Sequence, residues 1–124
     1  MLKKFELMLY VDDVELIADF FKDALNAEII KKTKLQDGSF ELKLKVLDQV
    51  NINLYNVDFI KNFSPMVSLE TPSIMFLTDD VEATHEQISK YSKDVGDIMV
   101  QGCQKVFNFS DPEGHYFAIG TTKD

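Results

Sequence analysis

The chain has 124 residues, 45% of them hydrophobic and 27% charged, which fits one globular domain large enough to bury a core without disulfides or bound metal. Thirteen lysines set against twenty-one acidic residues leave a net charge of −8, a balance that repels nucleic acid and anionic lipid and leaves neutral or cationic partners open. No apolar run approaches the roughly 20 residues of a membrane span, and a single cysteine, Cys103, excludes an intrachain disulfide and fits a reducing cytoplasm.

Taken in chain order, residues 5–11 alternate, with Phe5, Leu7, Leu9 and Val11 on one face and Glu6, Met8 and Tyr10 on the other. That pattern predicts a half-buried strand. Glu6 and the alternation also interrupt any signal-peptide core. The tetrapeptide DDVE follows, and it predicts a helix capped by Asp12, with Glu15 reaching back three positions later. Val14, Ile17, Ala18, Phe21 and Leu25 give that helix an apolar stripe, and Asn26 ends it. A strand over 28–35 and a turn at Gln36-Asp37-Gly38-Ser39 come next. In the strand over 40–47, Phe40, Leu42, Leu44 and Val46 alternate with Glu41, Lys43 and Lys45. After a turn at Asp48-Gln49, VNINLYN supplies a further strand.

Residues 57–72 contain Pro65 and Pro72 and read as a connector, although Phe59, Ile60, Phe63 and Met66 require it to pack on something. The order then repeats. A strand over 73–78 leads into a second DDVE, whose Asp79 caps a helix running through about Ser92, with Val81, His85 and Ile88 on its inner stripe. Strands over 97–101, 105–110 and 115–121 complete the unit, the last two joined by the turn SDPEG. Superposing Asp12 on Asp79 brings Leu7 onto Ile74, Met8 onto Met75 and Leu9 onto Phe76, so the repeat is one of structure as well as of letters. The fold class is α+β: module one over 1–56, the connector 57–72 and module two over 73–124, each module β-α-β-β-β.

Two stretches, LMLYVDDVELIADFFKDAL and FNFSDPEGHYFAIGT, resemble the strand, V-x-D and helix phrase and the D-P-x-G hairpin of the vicinal oxygen chelate superfamily, the glyoxalase, bleomycin-resistance and ring-cleaving dioxygenase group. The resemblance covers essentially the whole chain. It implies a cup-shaped mixed sheet built from both modules with helices outside, and a homodimer. The metal-dependent members place ligands at four positions, which fall here on Glu6, Asn53, Ser73 and Ala118. One carboxylate, one amide, one hydroxyl and one methyl do not make a transition-metal site, so neither metal nor cofactor is expected.

The same alternation directs Glu6, Met8, Tyr10, Asn51, Asn53, Tyr55, Ser73, Met75, Leu77, Tyr116 and Ala118 to the cup, with Phe107 and Phe109 or their neighbours. This is an apolar, aromatic lining with a few hydrogen-bonding groups. Glu6 in such a lining is expected to have a raised pKa. His115 reads as a hairpin residue, His85 as a core-edge histidine and Cys103 as an inert thiol. Two functions stay open: a metal-independent protein that binds a cationic or aromatic small molecule, or a lyase, isomerase or dioxygenase-like enzyme using Glu6 as base or sole carboxylate ligand. A third reading makes the dimer itself the function.

Overall fold

The computed structural model describes residues 1–122, which form a first unit over Met1–Thr71 and a second beginning at Pro72. The first unit runs β1 (Phe5–Val11), α1 (Val14–Leu25), β2 (Glu28–Lys34), β3 (Phe40–Leu47), β4 (Val50–Asn56) and α2 (Val57–Phe63). The second runs β5 (Met75–Thr78), α3 (Val81–Ser89), β6 (Met99–Gln101), β7 (Gln104–Ser110) and β8 (Tyr116–Thr121). The two sheets have the same topology, β1-β4-β3-β2 and β5-β8-β7-β6, each with its first strand parallel to its last. The duplication read from the two DDVE phrases is therefore a duplication of topology.

In the first unit one sheet face belongs to α1. Ile17, Ala18 and Phe21 lie over Leu9, Leu42, Leu44, Ile52 and Leu54, all buried. Strand pairing sets Leu9 and Leu42 beside Leu54, and Leu44 beside Ile52, so alternation forces Asn53 to the opposite face. Burial of each such aliphatic or aromatic side chain contributes about 1.5–3 kcal/mol. Ala24 completes the buried stripe of α1 where Leu25 was expected, and Asn26 ends the helix in the left-handed conformation, at φ 58°.

The second unit fills its core with aromatics. Phe109 lies 5.7 Å from Phe117 and 6.4 Å from Phe107, centroid to centroid, with Val81 and Ile88 of α3 on the same side. Gly120 keeps the other face open for its neighbours: a Cβ there would stand 3.0 Å from the sulfur of Met75 and 3.0 Å from Nε2 of Gln104.

Several boundaries differ from the sequence-based expectation. The helix caps are Asp13 and Asp80, one residue later than expected, because an N-cap carboxylate reaches the amide three positions on: Asp13 accepts from Leu16 N at 3.1 Å and Asp80 from Ala83 N at 3.0 Å. Glu15 and Glu82 do not fold back onto the caps but pair outward, with Lys32 at 3.1 Å and Lys105 at 2.9 Å. Helix α3 stops at Ser89 rather than Ser92. Strand β6 begins at Met99, two residues after the expected start, although Val95 makes an isolated bridge to Phe109. The connector carries α2, capped by Asn56, whose side chain accepts from Asp58 N at 2.9 Å. Its Phe59 and Ile60 are buried, as expected of a segment too apolar for a free linker, whereas Phe63 and Met66 stay exposed.

The two caps make a discriminating test in the second unit. Asp80→Ala is expected to lower stability by about 1 kcal/mol, and Asp79→Ala by clearly less, measured by urea unfolding.

Candidate functional site

The face of the first sheet that α1 leaves free collects Glu6, Met8 and Tyr10 from β1, Asn51, Asn53 and Tyr55 from β4, and Glu41, Lys43 and Lys45 from β3. Pairing puts Lys43 directly opposite Asn53 and Lys45 opposite Asn51. At its centre Glu6 Oε1 accepts from Asn53 Nδ2 at 2.9 Å, while Oε2 is ion-paired with Lys43 Nζ at 3.0 Å and Lys4 Nζ at 3.4 Å. Lys43, followed by Asn53, holds the Glu6 carboxyl down at about 2, far below its ordinary 4.5, and outweighs the opposing effect of burial. The expected rise is thus reversed, and a carboxylate held so low is too weak a base to serve at neutral pH.

Asn53 is itself buried, 2% exposed, and its Oδ1 has no hydrogen-bond partner among the described residues. The Met8 sulfur lies 3.6 Å from its Nδ2. Toward the other end of the face Tyr10 and Tyr55 stand 6.3 Å apart, Phe59 of α2 stacks on Tyr55 at 6.2 Å, and Phe63 stacks on Phe59 at 4.7 Å. Burial and the neighbouring Glu41 carboxylate push the Tyr55 hydroxyl above its usual pKa. At the Lys4 end a cleft of about 310 Å³ is lined by Lys4, Lys45, Leu47, Asp48, Gln49 and Asn51. The face is therefore polar at one end and aromatic at the other, where the sequence suggested a mostly apolar lining.

In the second unit, pairing puts Met75 beside Ala118, Leu77 beside Gly120, Asn108 opposite Ala118 and Tyr116 opposite Ser110. Met75, Leu77, Tyr116 and Ala118 thus share a face, and Ser73 precedes β5, exposed. Phe107 and Phe109 do not belong to that face. They pair with Ile119 and Phe117 on the α3 side, where the edge of the His85 ring meets Phe107 at 4.7 Å. Their neighbours Val106 and Asn108 take the open face instead, because the aromatic side of β7 is the one the helix can bury. Tyr116 donates a short hydrogen bond to the Asp94 carboxylate, which raises the pKa of the phenol.

Both histidines hold structural partners. His85 Nε2 lies 2.9 Å from the Gly96 carbonyl, and His115 Nδ1 lies 2.8 Å from Asp111 Oδ2. The buried Asp111 also accepts from the amides of Glu113 and His115, so its carboxylate organises the D-P-E-G turn. Cys103 is exposed and free.

The metal-ligand positions carried over from the superfamily do not fit an ion. Both oxygens of Glu6 are engaged, two ammonium groups already neutralise it, Asn53 turns its nitrogen toward it, and Ala118 offers only a methyl group. Among the described residues no group of three or more His, Cys, Asp or Glu side chains could hold a metal.

Sequence reasoning brought Glu6 and Asn53 together correctly but missed Lys43 and Glu41, which read as the solvent side of β3. The tight turn between β3 and β4 was the available signal, because it makes Lys43 a cross-strand neighbour of Asn53.

Residues 5–119 match the model of the Glyoxalase/Bleomycin resistance protein/Dioxygenase superfamily. The chain is similar in fold to TnmS3, an antibiotic binding protein from Streptomyces sp. CB03234, with a TM-score of 0.79 at 17% identity over 99% of this chain and 98% of that one. TioX from Micromonospora sp. ML1 gives 0.79 at 11% identity over 96% and 98%. A lactoylglutathione lyase from Agrobacterium tumefaciens gives 0.74 at 18% identity over 96% and 92%. Among proteins of curated function none matches.

The Glu6 ion pair carries a pH signature. A depressed folded-state pKa contributes stability that is complete above the ordinary value of 4.5 and is lost as pH falls toward about 2. Glu6→Gln is expected to flatten the fall in stability across that window, measured as urea midpoints for variant and wild type at stepped pH.

Proposed function

The chain belongs to the Glyoxalase/Bleomycin resistance protein/Dioxygenase superfamily, and on that footing we propose that it is a metal-independent small-molecule-binding protein whose ligand is aromatic. One observation carries the proposal. The Lys43 ammonium sits 3.0 Å from Glu6, supplying from within the chain the positive charge that a metal would bring to that carboxylate. Glu6 is then a fixed polar anchor rather than a ligand or a base, and the alternative of a lyase or isomerase using Glu6 as base is the poorer reading, given a pKa of about 2.

The aromatic end of the same face supports the ligand class. Tyr10, Tyr55 and Phe59 offer rigid, flat contact area and Met8 an adaptable one. The cationic option is weaker than the sequence suggested, since Lys4 and Lys43 already answer Glu6. TnmS3, described as antibiotic binding, has the same fold, which makes retention without chemistry a natural role for this scaffold.

On the open face of the first unit Asn51 joins Glu6, Met8, Tyr10, Asn53 and Tyr55 as ligand contacts, and on the open face of the second unit Ser73, Met75, Tyr116 and Ala118 are candidate contacts of their own. Phe107 and Phe109 are left out. A homodimer would cover the exposed Met75, Leu77 and Tyr116 of the second unit's open face. The exposed, unpaired Cys103 suits a reducing cytoplasm.

Thermal unfolding tests this reading. Saturation with a polycyclic aromatic ligand is expected to raise stability by about 2.7 kcal/mol at one hundred times its Kd, a shift of several degrees. Zn²⁺, Ni²⁺ and Fe²⁺ are expected to leave the midpoint unchanged. A metal-induced rise that vanishes in Glu6→Ala would overturn the metal-independent reading.

A further inference from the structure

Asn53 presents a buried polar atom that the fold leaves unanswered. Its amide cannot turn over to relieve this. Nδ2 donates to Glu6 Oε1 at 2.9 Å, and Lys43, 3.0 Å from Oε2, keeps that carboxylate ionised, hence an acceptor only. A flipped amide would set two acceptors against each other. The side chain is 2% exposed, and Oδ1 finds no donor among the described residues. A buried acceptor without a donor costs about 1–3 kcal/mol, which a leucine or valine at this strand position would avoid.

We propose that Asn53 Oδ1 is the ligand-reading atom of this face, and that the protein selects aromatic small molecules carrying a neutral hydroxyl or N–H donor over otherwise identical molecules without one. The proposal rests on the small-molecule reading above and names what that site distinguishes. Lys43 and Glu6 act as positioning residues, fixing the polarity of Asn53 from behind, while Asn53 itself touches the ligand. Met8 is the cover. Its sulfur lies 3.6 Å from Nδ2 of the same amide, its side chain is 37% exposed, and an unbranched thioether is easily displaced by an incoming ring. A ligand that moves Met8 aside gains a hydrogen bond that the empty protein lacks. One that brings only an ether or carbonyl oxygen meets Oδ1 acceptor to acceptor.

A matched pair of probes reads this directly: 2-naphthol, which donates, and 2-methoxynaphthalene, which does not. Affinities come from heteronuclear NMR titration of the wild type, Asn53→Leu and Lys43→Met, with the backbone spectrum reporting that each variant is folded. The wild type is expected to prefer 2-naphthol by about tenfold or more, with the Asn53 side-chain amide signals shifting on binding. The preference is expected to collapse toward one in Asn53→Leu and to shrink in Lys43→Met, where Glu6 no longer has its strongest partner. The amide signals of the wild type decide the matter even if Asn53→Leu does not fold. Equal affinity of the wild type for both probes, or unmoved Asn53 side-chain signals, overturns the inference while leaving small-molecule binding intact. Failure of both probes to bind overturns both.

Discussion

One ion pair determines what the free face of the first sheet can do. Lys43 and Glu6 meet at 3.0 Å across β4, and from that contact follow the ionised state of Glu6 and the orientation of the Asn53 amide. Remove Lys43 and the carboxylate loses the largest of the contacts that keep it ionised, leaving Asn53 and Lys4 to hold it. With Lys43 in place the same backbone geometry yields a fixed dipolar surface. The fold is shared with an antibiotic binding protein and with a lactoylglutathione lyase, so it is the side chains of the site and not the backbone that distinguish one use from another.

The architecture makes that specialisation possible because each unit places its stability and its open chemistry on opposite sides of one sheet. Helix α1 buries Leu9, Leu42, Leu44, Ile52 and Leu54, and α3 covers the phenylalanines of β7 and β8. Period-two alternation then delivers the intervening residues to the other face. Asn53 lies between Ile52 and Leu54, both fully buried, so the backbone that holds its amide is among the best anchored in the unit. Preorganisation of this kind lets an amide hold one orientation and read the polarity of a partner.

Much of this was legible in the sequence. The two DDVE phrases located both helices and the duplication, because caps and strand alternation are local rules, and the alternation of β1 and β4 brought Glu6 to Asn53. What escaped were properties set by partners distant in sequence. The pKa of Glu6 was misjudged in sign because Lys43 is 37 positions away and reaches it only through the β3–β4 pairing. For β7 the sequence left Phe107 and Phe109 or their neighbours as the open-face residues, because Val106 and the two phenylalanines are apolar on both faces of the strand. Only the cover of α3 distinguishes them. The caps slipped by one residue because two consecutive aspartates satisfy the same local pattern, and the reach to the third amide selects the second of them.

The measurement that bears most directly on this account is the pH titration of the Glu6 side-chain carboxyl by carbon-13 NMR in the intact chain. A midpoint near 2 is expected, the value imposed by Lys43 and Asn53. A midpoint at its ordinary 4.5 or above would contradict the account, because Glu6 would then be free to serve as a base or a metal ligand and nothing would fix the amide of Asn53.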